Sequence, residues 1–352
     1  MRAISAADSV SVAFQRTRDF LFRPFRWGTY LKLGLVALIT EGIGGNSHFT
    51  KHDETRHITS GYPHGPVIDS LRDIKPEWIV AIIVGALLVM LISIVIFYLI
   101  TRLRFAFFNC LVRNTTRIAP GWHLYRSPAT RFFWLNLVVG FLSFLLIVLI
   151  ALPFAAGLWR VFHSIPPGGQ PNWGILIALV LPIIPIFLLL LLAAMVVDIL
   201  LRDFMLPHFA LDNATTGQAF ARVWAAIKAE KRQFFVYALF RVVLPIIAFI
   251  GVFVVLLIPG LILAGTIGVI EYSLHSVFAG SSGAAFAVGV VFQVFFGVVA
   301  FGFALLAGIC IGGPLSTGIR EYALIFYGGR YPALGNLLYP QPPAAVMGSP
   351  AD

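Results

Sequence analysis

Long uninterrupted apolar runs organise this chain, and shorter segments that hold most of its charges separate them. A run of about 20 apolar residues is long enough for a helix to cross the hydrocarbon core of a bilayer. The pattern predicts six such helices, over residues 27–43, 78–100, 132–158, 174–200, 234–258 and 286–312. We therefore expect an all-α, polytopic membrane protein with a single membrane domain over residues 1–352. An outer loop at 44–77 and a cytoplasmic tail at 313–352 complete it.

Two of the predicted spans are irregular. The first is the weakest, because Lys32 and Glu41 lie within it. The apolar run of the fifth continues to Ile270, which is too long for one upright helix. We expect Pro259 to break it, because a proline inside a helix removes one hydrogen bond and crowds the preceding turn.

The composition agrees with a chain that is solvated mostly by lipid. Of its 352 residues, 59% are hydrophobic and 11% are charged, whereas soluble domains carry about 25% charged residues. Eighteen of the 25 Lys and Arg residues lie in residues 1–26, 101–131, 201–233 and beyond Pro314, and five lie in the opposite loops. Basic residues concentrate on the cytoplasmic side, so both termini are predicted to be cytoplasmic. The net charge of +10 is then a topology signal, and we expect no nucleic-acid partner.

Two predicted cytoplasmic stretches match each other. They read RFAFFNCLVRNTTRIAPGWHLYRSPATRFF and RDFMLPHFALDNATTGQAFARVWAAIKAEKRQFF. Each has an arginine at the end of a span, an N-x-T sequence and a W-x9-FF ending. These features stand at Arg104 and Arg202, at Asn114 and Asn213, and at Trp122 and Trp224. A weaker third copy precedes the first span, so the sequence predicts three repeats, each a cytoplasmic amphipathic helix followed by a transmembrane hairpin.

The amphipathic helices are expected to lie in the membrane interface with basic faces toward anionic lipid headgroups. Two interpretations remain open for them. They serve either as lipid-facing anchors that fix topology, or as a docking surface for a cytoplasmic partner.

The segment Ala219 to Trp224 reads Ala-Phe-x-Arg-x-Trp, and a basic run and an aromatic start of a span follow it. With its preceding polar helix, this pattern resembles uncharacterised bacterial multi-span membrane proteins. Those are similar to the membrane domain attached to some glycerophosphodiester phosphodiesterases. The resemblance covers mainly residues 100–150 and 200–260. It implies a membrane module, and no catalytic residue is carried over because no phosphodiesterase domain is seen in these residues. We expect the protein to reside in a bacterial inner (plasma) membrane.

Ionisable groups inside spans are costly and count as functional candidates. Here they are Lys32, Glu41, Asp198 and Arg241. We expect Lys32 to extend to the interface and Glu41 to be hydrated near the outer boundary. Asp198 and Arg241 are predicted at comparable depth and are expected to form an ion pair. That pair either fixes two spans together or belongs to a transport site.

Small residues recur every fourth position in the sixth span, at Ala300, Ala304, Gly308 and Gly312. Such a ladder permits close contact between helix backbones. We favour a contact within the chain over one with a second protomer.

The predicted outer loop contains the run HFTKHDETRH, with His48, His52 and His57. On a helix, His48 and His52 would share one face in a geometry suited to zinc or copper. His57 is out of phase with them, and Gly, Pro, Ser and Thr surround the run. We favour a solvated loop over a metal site.

These patterns favour a non-enzymatic protein: a structural, accessory or assembly subunit of an inner-membrane system, without a cofactor. As partners we expect the bilayer with its anionic headgroups, and a membrane protein or a second copy of the chain. The alternative is a small-molecule or ion transporter with a site near Asp198 and Arg241. No nucleotide-binding, hydrolase or zinc-protease motif supports an enzyme.

Overall fold

The computed structural model describes residues 4–43, 76–163, 173–278 and 283–339, and every regular element in these ranges is helical. The helices are α1 (Asp8–Phe22), α2 (Trp27–Ala37), α3 (Pro76–Val112), α4 (Ala119–Leu124), α5 (Arg126–His163), α6 (Trp173–Val180), α7 (Ile183–Ile199), α8 (Leu206–Leu211), α9 (Thr216–Ala229), α10 (Lys231–Phe278), α11 (Ala284–Gly328) and α12 (Pro332–Leu338). Two π-helical turns continue α2 over Leu38–Ile43 and join α7 to α8 over Leu200–Met205.

Within the described ranges, five helical stretches are long and apolar enough to cross a membrane. They are Val80–Val112, Arg126–Val161, Trp173–Leu211, Lys231–Ile270 and Ala287–Gly328. The remaining predicted span is the first, at residues 27–43, and it is helical throughout as α2 and its π-turn. At 1.5 Å per residue it measures only about 25 Å, and it carries Lys32 and Glu41. The structure therefore supports five of the six predicted spans by length and composition.

Prolines interrupt these helices less than expected. The prediction that Pro259 breaks the fifth span is wrong, because α10 continues through it to Phe278. In a bilayer no water replaces the hydrogen bonds that a broken helix loses, so a continuous helix is favoured. A break does occur before Pro182, between α6 and α7. The last long helix, α11, also passes its predicted end at residue 312 and reaches Gly328.

Buried side chains gather at one end of the long helices, in what we call the packed layer. It comprises α1, α2, the end of α3, the start of α5, the second π-turn with α8, one face of α9, the start of α10, the end of α11, and α12. Aromatic rings fill it: Phe132 lies 5.6 Å from Phe105 and 5.5 Å from Phe209 between ring centroids, and Tyr237 stacks on Phe326 at 4.4 Å. The remaining lengths of the long helices expose their apolar side chains, which suits lipid as the solvent.

Two glycines bring α2 and α11 into backbone contact within this layer. A Cβ atom on Gly313 would lie only 2.5 Å from the Cα of Gly34. A Cβ atom on Gly34 would in turn lie 3.2 Å from the carbonyl oxygen of Ile309. No side chain fits between the two backbones, so the contact depends on glycine.

Candidate functional site: a buried charge network

The network is centred on the π-turn Leu200–Met205, and Pro207 explains why a carbonyl group is available there. Pro207 has no N–H, so it cannot donate to the carbonyl of Arg202 five residues earlier, as the π-helical pattern would require. That carbonyl instead accepts a hydrogen bond from Nη1 of Arg320 at 2.7 Å. The proline thus converts an intrahelical bond into a link between the turn and α11.

Pro314 in α11 makes a second carbonyl available in the same way. It cannot donate to the carbonyl of Cys310 four residues earlier. The hydroxyl of Tyr30, on α2, donates to that carbonyl at 2.6 Å. This bond adds to the glycine contact between α2 and α11.

Asp203 is fully buried and is the most heavily bonded carboxylate of the network. The hydroxyl of Tyr237 donates to it at 2.8 Å, Nε of Arg241 at 2.9 Å and Nη1 of Arg320 at 3.2 Å. Arg241 also reaches Glu41, with 3.6 Å between Nη2 and Oε2. Through Arg241 the network extends from the π-turn Leu200–Met205 to the π-turn that continues α2.

Arg202 forms the other half of the network. Its Nη2 donates to the carboxylate of Glu41 and to the carbonyl of Thr40, both at 2.9 Å. Its Nη1 donates to Asp198 at 3.1 Å. Nε of Arg104 reaches the same Thr40 carbonyl at 3.1 Å. The carbonyl is therefore shared by arginines from two different helices.

Within the described residues, the network consists of four arginines and three carboxylates. The set is Arg104, Arg202, Arg241, Arg320, Glu41, Asp198 and Asp203. A buried charge is tolerated only when it is paired and hydrogen-bonded, and removing one partner costs about 3–5 kcal/mol. These ion pairs and hydrogen bonds therefore stabilise the packing of α2, α3, α7, α10 and α11 against one another.

The sequence analysis identified Glu41, Asp198 and Arg241 as candidate residues, but it did not predict which residues they contact. Instead of pairing with each other, Asp198 contacts Arg202, and Arg241 contacts Asp203 and Glu41. The expected hydration of Glu41 is wrong, because its side chain is only 6% exposed and faces Arg202. Its burial follows from the π-turn at Leu38–Ile43, which lies against α3 and α11.

Four members escape the sequence analysis because they stand at the ends of spans. Arg104, Arg202 and Arg320 read as topology signals, and Asp203 reads as part of the polar segment after the fourth span. The available signal was the position of each arginine directly after an apolar run. Lys32 is exposed, as an interfacial lysine would be.

The two matching stretches of sequence have matching local geometry. Arg104 and Arg202 reach one carbonyl, as described above. Asn114 and Asn213 both adopt positive φ, at 50° and 51°. Asparagine tolerates this left-handed conformation better than most residues, which explains the shared N-x-T position. After Asn213, Thr215 caps α9 in a reciprocal pair of hydrogen bonds with Gln218.

A separate buried ion pair ties α1 to the packed layer. Nε of Arg16 lies 3.1 Å from a carboxylate oxygen of Glu321, whose side chain is fully buried. The same guanidinium donates to the carbonyl of Leu111 at 2.8 Å and to that of Leu338 at 3.3 Å. One side chain of α1 thus connects α3, α11 and α12.

Two further contacts secure the rest of the layer. Nε2 of His208 lies 2.7 Å from the hydroxyl of Tyr327, and Nδ1 lies 3.3 Å from Asp212. Arg330 contacts Glu230 at 2.6 Å, which ties the end of α9 to the segment after α11. Both contacts hold the termini of short helices against long ones.

The small-residue ladder is only partly used within the described chain. A Cβ atom on Gly312 would lie 2.8 Å from Cδ1 of Leu38, so this position packs inside the chain. A Cβ on Gly308 would meet nothing within 4 Å, Ala304 is exposed and Ala300 is half-buried. The closest backbone approach lies one residue beyond the ladder, at Gly313.

The histidines His48, His52 and His57 lie outside the described residues. In the part of the chain that is described, no group of three His, Cys, Asp or Glu side chains could hold a metal ion.

Five apolar helices that pack together at one end define a multi-pass helical membrane protein. The chain belongs to the family of unknown function DUF7544, whose profile matches residues 4–337. This match gives no link to glycerophosphodiester phosphodiesterases, so that part of the resemblance is not supported. No curated protein and no solved structure matches the chain.

Proposed function

We propose that this protein is a non-enzymatic structural or accessory subunit of a bacterial inner-membrane system. One observation carries the proposal: the part of α3 outside the packed layer is exposed on every side. Leu87, Leu88, Val89 and Met90 are 56%, 55%, 63% and 55% exposed. Successive residues of a helix point about 100° apart, so these four cover its whole circumference.

The charges support the same proposal. The ionisable side chains of the network bind one another and fix five helices at one end. A transporter needs polar groups along a path through the bilayer, whereas the cavity lined by Ile147, Phe154 and Ile186 is apolar. The packed layer fixes the helices at one end, and their exposed apolar lengths are available for lateral association with another membrane protein.

Native mass spectrometry of the protein, extracted gently from its own membrane, tests this proposal. A partner protein bound in fixed stoichiometry to the 38.6 kDa chain is the expected result. The variant Val89→Trp should reduce the amount of bound partner. Ser11→Trp, at an exposed position of α1 in the packed layer, is the control. A chain that emerges alone in repeated mild extractions overturns the proposal.

We also propose that the chain forms six spans arranged as three related hairpins, with both termini in the cytoplasm. The shared Thr40 carbonyl supports the relation between Arg104 and Arg202, and Arg320 holds the corresponding place at the end of the last apolar run. A cysteine introduced at the exposed Ser11 should react with an impermeant thiol reagent only in inverted vesicles. Reaction from the outside of intact cells contradicts this orientation.

A transport function is the second candidate, and the exposure of Asp198 favours it. Its side chain is 43% exposed although its partner Arg202 is 3% exposed, so the network opens to its surroundings at this point. The test is proton flux into liposomes containing the purified protein, followed with a pH-sensitive dye. Flux above that of empty vesicles, abolished by Asp198→Asn, would replace the structural proposal.

A further inference from the structure

An apolar cavity lies between α1 and the long helices α10 and α11. Its volume is about 340 Å³, within the range of about 300–1,000 Å³ that is usual for small-molecule sites. The apolar part of its wall includes Ala13, Phe14, Leu244, Ala248, Leu315 and Ile319. A ligand with a long apolar part fits these walls.

Thr17 forms part of the wall of the same cavity. The residue is 7% exposed, and its Oγ1 has no hydrogen-bond partner in the described part of the chain. Gly318 lies opposite, where a Cβ atom would come within 3.6 Å of this oxygen. This oxygen is enclosed by protein atoms, so recognition of a ligand in the cavity does not depend on it.

Arg18 also lines the cavity, and its side chain is 54% exposed. Its carboxylate neighbour Asp19, at 3.7 Å, also contacts Arg23 at 3.3 Å. Two arginines beside one aspartate leave a positive charge at the mouth of the cavity. This charge attracts an anionic group, as basic residues near a membrane surface do.

The position of α1 indicates where the ligand comes from. Phe14 and Phe22 line the cavity, yet they are 71% and 42% exposed. An amphipathic helix with exposed aromatic residues and arginines lies at the boundary between lipid headgroups and acyl chains. The cavity is therefore reached from the leaflet that α1 contacts.

We propose that this cavity binds an anionic phospholipid. One acyl chain occupies the apolar space, and the phosphate lies at Arg18. A peptide segment would bring backbone polar groups that the apolar walls cannot satisfy. The site is independent of any protein partner and goes beyond the proposed function.

The test is retention of defined lipids by the purified protein, measured by native mass spectrometry with phosphatidylglycerol and phosphatidylcholine. Wild type should retain one phosphatidylglycerol in preference to phosphatidylcholine. Arg18→Gln should reduce that preference about fivefold, since one basic residue near an anionic surface contributes about 1 kcal/mol. Arg117→Gln, an exposed arginine outside the cavity, is the control and should leave the preference unchanged.

A second variant tests the acyl chain itself. Ala248→Trp fills the cavity from α10 and should weaken retention of both lipids about tenfold, because each excluded methylene is worth about 0.8 kcal/mol. Val254→Trp, exposed on the same helix, should not. Unchanged retention in Ala248→Trp, at an unchanged unfolding temperature, overturns the proposal. So does equal retention of the two lipids, or a detergent molecule in place of the lipid.

Discussion

Asp203 depends on its neighbours more than any other residue of the network. It has no exposed surface and receives hydrogen bonds from one tyrosine and two arginines. Neutralising it would leave Arg241 and Arg320 as buried positive charges without a carboxylate between them.

Asp203→Asn is therefore expected to lower the free energy of unfolding by about 3–5 kcal/mol. Denaturant or thermal unfolding in detergent measures this loss. Asp19→Asn is the matched control, because Asp19 is about half exposed and its ion pairs lie on the surface, where a pair contributes about 0–1 kcal/mol. Equal losses in the two variants would show that burial does not make Asp203 special.

Arg16 makes the corresponding contribution for α1. Arg16→Ala should detach α1, because the variant loses the Glu321 ion pair and both carbonyl contacts. The expected result is faster chymotrypsin cleavage near Phe14 and Phe22, at least tenfold if the contact is worth about 1.4 kcal/mol. Ser11→Ala, on the exposed face of α1, should be cleaved at the wild-type rate. Equal rates in the two variants would argue against the anchor.

Several prolines and glycines of this protein make contacts between helices possible and do not interrupt the helices in which they lie. Pro207 frees the Arg202 carbonyl and Pro314 frees that of Cys310, and side chains of other helices occupy both. Gly34 and Gly313 let two backbones touch. These residues would usually be regarded as weak points of a helix.

Pro207→Ala tests this view. Replacing a proline inside a helix usually stabilises, by up to about 3 kcal/mol. Here the new N–H would compete with Arg320 for the Arg202 carbonyl, so we expect no gain in unfolding temperature. Pro259→Ala, beside exposed residues of α10, should show the usual gain. If both variants gain equally, the freed carbonyl has no role.

The glycine contact gives a second test. Gly313→Ala places a Cβ atom 2.5 Å from the Cα of Gly34 and should lower stability by several kcal/mol, because backbone cannot move aside as a side chain can. Gly302→Ala, where a Cβ would meet nothing within 4 Å, should be neutral or slightly stabilising. The measurement is thermal unfolding of both variants in the same detergent. A neutral Gly313→Ala would mean that α2 and α11 separate readily.

For the molecule as a whole, the sequence predicted what is local and missed what depends on distant contacts. The helical class and five of the spans followed from apolar runs, because a long apolar run by itself predicts a helix that faces lipid. Pairing was not predictable, because whether Arg241 faces Asp198 or Asp203 depends on the π-turn and on how α10 packs against it. Glu41 was misjudged for the same reason, since its partner Arg202 lies 161 residues away.

The last long helix closes the charge network, and this has a consequence for biosynthesis. Arg241 follows Asp203 by 38 residues and Arg320 follows it by 117. At about 5–20 residues per second, the ribosome needs roughly 6–23 s to make the segment between Asp203 and Arg320. During that time the nascent chain holds a half-neutralised carboxylate at the membrane. We therefore expect the charge network to be complete only after α11 has been made.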